Sequence, residues 1–419
     1  MSTENSGSFV KNFLILFTGN SIGQVVPFLL APFIARLYQP EQIAIQENFL
    51  AMASLIGIIA AGRFDLAILL PKEEKDARTI FSLSFIITIC ISALCILAVF
   101  FAKPIAQFYQ TPILADYIFY LAPSVFLISA LSILTQWVLR QKKYHVMTVS
   151  RVLQSFIQNG GYVILGYLGW GIHGLLISWI LGIIIPVLWM FVKELNSFRP
   201  FVTDKTEIKR LATEHKDFPT VNSLHAFTDI LATQFLLYWL ITRNHGALVL
   251  GLFAVMNRYL RAPLNLVGSA VGQLYFREAS SLQGNNQEQV QIYYRSIKII
   301  SLFVVPAMSV IVIMGPTLFE WYLGKDWRDS GTFARIMAPA ILFNFLASVV
   351  STTPLLLKKQ KAAYVFSIMG YILSLGTLLI GSYLSTSFQE VLYAYSAVLS
   401  LYYIFLLVWY RSILLNSKL

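Results

Sequence analysis

Twelve predominantly apolar runs follow one another along the chain, separated by short charged or turn-rich breaks. Each is long enough to cross the roughly 30 Å hydrocarbon core of a bilayer as a helix of about 20 residues. Their limits are 12–37, 44–69, 79–102, 115–139, 147–168, 171–192, 218–242, 248–276, 296–323, 332–357, 362–384 and 389–414. Uninterrupted runs of this length cannot be the alternating strands of an outer-membrane barrel. The chain is 57% hydrophobic and 12% charged, about half the charged fraction of soluble domains. This excludes a soluble enzyme, a disordered chain and a nucleic-acid module. The expectation is an all-α, polytopic membrane protein with about 12 transmembrane helices. The first run is too long for the h-region of a cleavable signal peptide. Cys90 and Cys95 share one apolar helix on different faces, so neither a disulfide nor a metal site is expected.

One long polar stretch interrupts the pattern, from Lys193 to Asp217. Within it, DKTEIKRLATEHKD reads as an amphipathic helix on the membrane surface. The expected organisation is a lobe over 1–192, a cytoplasmic linker over 193–217 and a second lobe over 218–419. Motifs recur between the halves. Gln141-Lys142-Lys143 matches Leu357-Lys358-Lys359, and Leu121-Ala122-Pro123 matches Met337-Ala338-Pro339, both at a spacing of 216 residues. Gln107-Phe108-Tyr109 matches Glu320-Trp321-Tyr322 at a spacing of 213. Three matches in one order indicate duplication into two pseudo-symmetric six-helix lobes. An even number of spans per half makes the repeats parallel.

The net charge of +11 has two sources to weigh, topology and an anionic cargo. With both termini in the cytoplasm, 21 of the 31 Lys and Arg fall on cytoplasmic segments and 6 on the other side, which is the positive-inside pattern. Four arginines remain at or near membrane depth, where each costs about 2.5–3.5 kcal/mol or more unless it reaches water or a partner. Arg258, Arg261 and Asn265 form one stripe of helix eight; Arg151, Gln154 and Gln158 form another on helix five; Arg63 ends helix two. Guanidinium groups lining a wet cavity suit a phosphate or diphosphate, whose oxygens they grip bidentately. Snorkelling explains Arg63 and Arg151 equally well, and structural pairing the other two. Helix one carries Gly19, Asn20, Gly23, Gln24, Pro27 and Pro32, with Gln24 as a further substrate-binding candidate. Asn344, Ser348 and Ser351 make a stripe on helix ten.

Helix seven bears Asn222, His225, Asp229 and Thr233. His225 and Asp229, at i and i+4, either relay a proton or bind a coupling cation, or else form a structural pair. There is no Walker A sequence and no hydrolase or transferase constellation, so no enzyme and no cofactor are expected.

Three segments carry a family likeness: RFDLAILLPKEEKDA after helix two, KDFP entering helix seven, and GLFAVMNRYLRAPLNLVGSAVGQLYFREAS in helix eight. They resemble the polysaccharide transporters of the multidrug/oligosaccharidyl-lipid/polysaccharide (MOP) exporter superfamily, most closely the Wzx-type O-antigen flippases. The resemblance implies a MATE-like fold of two six-helix bundles around a central V-shaped cavity. It implies an undecaprenyl-diphosphate-linked oligosaccharide as cargo, flipped across the bacterial inner membrane among membrane lipids. A polysaccharide polymerase and a chain-length regulator are the implied partners. Cavity arginines of related lipid II flippases would correspond to Arg63 and to Arg258 or Arg261, and a cation-binding Asp of some relatives to Asp229. Helices eleven and twelve lack the carboxylate that would complete a sodium site. Two other functions compete. A multidrug antiporter of the same superfamily would prefer an acidic, aromatic cavity. A membrane O-antigen polymerase or ligase would need a large external loop with catalytic Arg or His, and the external segments are short.

Overall fold

The computed structural model describes residues 23–199, 201, 204–282, 285–384 and 387–416, with the backbone alone at 262, 263, 265 and 266. The regular elements among the described residues are all helical. They gather into two compact units that divide at Arg243 and Asn244.

The first unit contains α1 (Gly23–Leu37), α2 (Pro40–Gly57), α3 (Glu74–Ile96), α4 (Leu121–Arg140), α5 (Tyr144–Tyr167) and α6 (Gly171–Phe198). It also takes in α7, which is built in four consecutive pieces. Two π-helical stretches, Phe218–Asn222 and Leu231–Phe235, alternate with α-helical Ser223–Ile230 and Leu236–His245. The second unit contains α8 (Ala247–Ser281), α9 (Asn286–Leu323), α10 (Arg328–Val349), α11 (Gln360–Leu384) and α12 (Phe388–Leu415). Over its described residues, each of the twelve expected runs overlaps one of these helices.

Eight described segments are long and apolar enough by themselves to cross a membrane. The helices α2 and α5 are not among them, because they carry polar groups inside the bundle. Gln46 and Asn48 of α2 are buried, as is Asn159 of α5. Lipid-facing positions carry the opposite signature, with Phe100, Leu302, Ile313 and Leu384 all widely exposed.

One expectation is corrected. Helix two does not run from 44 to 69. It ends at Gly57 and resumes as a single turn, Phe64–Ala67, after a bend in which Gly62 and Arg63 have φ of 58° and 55°. That left-handed conformation breaks the helical ladder even though the segment is apolar enough to continue it. Helix α7 packs on the first unit: the Trp239 ring stacks on Phe108 at 4.7 Å and its indole N–H donates to the Phe108 carbonyl at 2.9 Å. Asn48 donates to Thr242 Oγ1 at 2.9 Å from the buried face of α2.

The linker folds as a helix, Lys205–Glu214, capped by Asp204, whose carboxylate accepts from the Thr206 N–H at 2.9 Å. It docks on the start of α3 by charge. Arg210 contacts Asp76 at 2.7 Å and Glu207 at 2.9 Å, and Lys75 contacts Glu207 at 3.2 Å. Leu211 is buried beneath it. Nearby, Phe81, Trp137 and Phe198 are fully buried against one another, each stabilising the fold by roughly 1.5–3 kcal/mol.

One of the repeated motifs, the turn at Lys142 and Lys358, folds alike in the two halves. Lys142 and Lys358 have φ of 55° and 54°. The Lys142 N–H bonds the Leu139 carbonyl and the Lys143 N–H that of Val138. The Lys358 N–H bonds Leu355 and the Lys359 N–H bonds Pro354. These are the same helix-ending turn with the same register, a left-handed residue closing the last orphan carbonyls.

Within the second unit, α9 and α10 meet backbone to backbone. A Cβ added at Gly331 would lie 2.3 Å from the Gly315 carbonyl oxygen, and one at Gly315 would lie 2.7 Å from that of Gly331. Only hydrogen fits there, the small-residue contact that lets membrane helices approach closely.

Candidate functional site

The basic residues of α8 sit in a polar corner of the second unit. Arg258 and Arg261 are both half-buried. The Arg261 Nε is buried and has no hydrogen-bond partner in the protein. Its charge acts on the phenols of Tyr395 and Tyr403, both from α12. Asn344 of α10 hydrogen-bonds Tyr403, and Ser374 of α11 bonds Tyr395 at 2.8 Å. Three helices, α10, α11 and α12, thus contribute neutral hydrogen-bonding groups to the surroundings of one guanidinium. The Asn265 side chain lies outside the described residues.

Further along the same face of α8 an open groove of about 620 Å³ separates it from α10. Ser269, Gln273, Ser348 and Thr352 supply its polar lining, and Phe276 and Phe345 its aromatic lining. Close approach of the helices shapes its floor: a Cβ at Gly268 would come within 2.6 Å of the Phe345 ring. Thr352 Oγ1 is buried without a partner. Ser348 Oγ donates to the Phe345 carbonyl at 2.8 Å, leaving its lone pairs to accept. Ser351, expected on this stripe, is exposed and donates to the Ser348 carbonyl instead.

In the first unit, α1 and α5 pack where Ser155 Oγ donates to the Gly23 carbonyl at 2.7 Å. Gln24 and Arg151 flank this contact, since a Cβ at Gly23 would lie 3.7 Å from the Arg151 carbonyl oxygen. Gln24 Oε1 is buried without a hydrogen bond, and Arg151 is half-buried. Gln154 and Gln158 face the contact with α6, where Gly182 admits the Gln158 side chain. The Gln158 amide donates to Tyr162 Oη at 2.9 Å, as does that of Gln46. Gln158 is therefore part of a buried network that fixes Tyr162.

Arg63 occupies the bend after α2, and its Nε is buried without a partner. Two residues on, Asp65 is only 2% exposed. Ser132 Oγ donates to its Oδ2 at 2.6 Å, while Oδ1 has no partner. The sequence pattern did not single out Asp65, which is the buried carboxylate of this bend. Its place beside Gly62-Arg63 was the available signal. On α7, His225 is exposed and Asp229 is half-buried. Both belong to the α-helical piece between the π stretches, and Thr233 Oγ1 donates to the Asp229 carbonyl at 2.7 Å. Among the described residues, no group of three or more His, Cys, Asp or Glu could hold a metal ion.

The fold has solved counterparts. A multidrug resistance MATE transporter of the MOP superfamily, inward-facing, superposes with a TM-score of 0.70 at 13% identity, covering 94% of this chain and 96% of that one. The lipid II flippase MurJ, in an inward closed conformation, gives 0.71 at 16% identity over 95% and 87%. A MOP superfamily transporter from Pyrococcus furiosus gives 0.64 at 15% identity over 97% of each chain. No curated protein matches the chain in sequence. A polytopic, all-α membrane protein with the fold of MOP superfamily transporters is the class these likenesses define. Within it, the model of the family described as polysaccharide biosynthesis protein matches residues 33–332. The chain belongs to that family.

Proposed function

We propose that the protein is a flippase that carries an undecaprenyl-diphosphate-linked oligosaccharide, an O-antigen or similar repeat unit, from the inner to the outer leaflet of the bacterial cytoplasmic membrane by alternating access. The observation that carries the reading is Arg261, a half-buried guanidinium with an unpartnered Nε among neutral hydrogen-bonding groups. Buried donors without partners in a native fold call for an explanation, and a diphosphate supplies the missing acceptors. Family membership points to the same class of cargo.

Arg258 and Arg261 hold the diphosphate in this reading, with Asn265 beside them. Arg63, Arg151, Gln24 and Gln154 are the substrate-binding candidates within the first unit, and the polyprenyl tail stays in lipid. Both termini and the linker face the cytoplasm, as the charge bias of the loops requires. Asp229 with His225 couples transport to a proton or another cation, since a membrane potential supplies about 2.3 kcal/mol per charge per 100 mV. The polymerase and chain-length regulator that would act on the product are the expected partners.

The test is deletion of the gene followed by assignment of the lipid-linked repeat unit to a leaflet. Accumulation in the inner leaflet, reversed by the wild-type chain and not by Arg258→Ala/Arg261→Ala, supports the reading. An unchanged distribution refutes it.

A further inference from the structure

The groove between α8 and α10 has a composition that differs from the arginine corner beside it. Among the described residues, its lining holds hydroxyl, amide and aromatic side chains and no charged one. Neutral sugars are recognised by that combination: hydroxyl and amide groups exchange hydrogen bonds with ring hydroxyls, and aromatic faces cover the C–H surface of the ring. The buried, unpartnered Thr352 Oγ1 supplies a hydrogen-bonding group that nothing in the protein satisfies.

The position matters as much as the chemistry. Arg261 and Gly268 are seven residues apart, hence on one face of α8 and separated by roughly 10 Å along its axis. The α10 side runs in parallel: Asn344 bonds Tyr403 beside Arg261, and Ser348 and Thr352 follow at steps of four in the groove. A diphosphate at Arg261 therefore places the first sugar attached to it at the groove.

We infer that the α8/α10 groove is a subsite for the neutral, diphosphate-proximal sugar of the cargo. The inference rests on the flippase reading and adds to it the class of sugar that binds and where. A charged sugar is disfavoured at this position, because the groove offers no counter-ion and burial of an unpaired charge is costly.

Binding to purified protein in nanodiscs tests it with two probes, undecaprenyl diphosphate and undecaprenyl-diphosphate-N-acetylglucosamine. The wild type is expected to bind the sugar-bearing probe about tenfold tighter, the worth of one to two net hydrogen bonds. Ser348→Ala/Thr352→Val, which removes both hydroxyls at nearly constant volume, should bind the two probes equally and the bare diphosphate as the wild type does. Gln273→Leu, on the exposed rim, is an independent variant with the same expected direction. Arg261→Ala should weaken both probes to the same extent. Equal binding of the probes by the wild type, or a preference that survives in both groove variants, overturns the subsite while leaving the diphosphate reading in place. Binding of both probes that ignores Arg261→Ala overturns the diphosphate reading and this inference together.

Discussion

Lys143 Nζ lies 2.8 Å from Glu194 Oε1, and the Glu194 side chain is closed to solvent. Ser197 Oγ donates to the other carboxylate oxygen at 2.9 Å and receives the Trp137 indole N–H at 2.8 Å. The ammonium ties the α4–α5 turn to the end of α6. Lys143→Met leaves a buried carboxylate without its cation and is expected to cost about 1–3 kcal/mol, less than for a fully buried pair because Lys143 is itself part-exposed. Glu194→Gln, which keeps the shape and removes the charge, should be the milder change. Thermal unfolding in detergent ranks the two.

The matched turns at Lys142 and Lys358 make a paired prediction. A side chain at positive φ costs about 1–2 kcal/mol, and glycine returns part of that through unfolded-chain entropy. Lys142→Gly and Lys358→Gly are each expected to stabilise by about 0.5 kcal/mol, and by similar amounts. A rise in melting temperature at one position with a fall at the other would contradict the equivalence of the two turns.

For the arginines of α8, rank order is the readout. Arg258→Ala/Arg261→Ala should abolish export with the protein still in the membrane. Lysine at each position should rescue partly, because an ammonium supplies charge without the planar fork. Full rescue by lysine would remove the bidentate grip from the mechanism.

Coupling through α7 separates from a structural role in proteoliposomes. Asp229→Asn is expected to fold, to bind cargo and to lose the response of transport to an imposed proton or ion gradient. Unchanged gradient dependence in a folded variant rules the coupling role out.

Docking of the linker helix should depend on pH and salt. The Arg210 hydrogen bond, then that of Lys75, hold the Glu207 carboxyl below its ordinary value of 4.5. Arg210 shares the linker helix with Glu207, so only the part owed to Lys75 of α3 is linked to docking; that part is full above the ordinary value and is lost as pH falls through the lower, docked one. Lys75 is exposed and Glu207 only half-buried, so salt should weaken the contact too. A nitroxide spin label on Thr213→Cys, in a Cys90→Ala/Cys95→Ala background, should gain mobility under both conditions. Mobility that ignores both would place the docking energy in Leu211.

Apolar run length was enough to locate the helical rods, because lipid demands it of every span. It could not locate the end of α2: IGIIAAG, residues 56–62, stays apolar past the helix end, and the break comes from backbone conformation at Gly62 and Arg63. Nor could it show the π stretches of α7, which change residue count per turn without changing composition. On α10 the stripe of Asn344 and Ser348 was readable, and its third member was not. The helix stops at Val349, so the rule that selects Ser351 no longer applies and the turn delivers Thr352 instead. Arg261 was readable as a costly charge. The tyrosines around it come from α12, far away in sequence, and no local pattern connects them.

Were α9 and α10 to tilt against each other, their glycine crossing would be the pivot, set far from the load. Ser348 lies 17 residues beyond Gly331, a lever arm of roughly 25 Å along a helix. With no side chains to interlock at the crossing, a tilt of about 5° there would sweep the groove end of α10 through about 2 Å, enough to make or break a hydrogen bond. A bulkier residue at Gly331 would act as a wedge at the hinge, so its effect on sugar binding would be felt a whole helix length away.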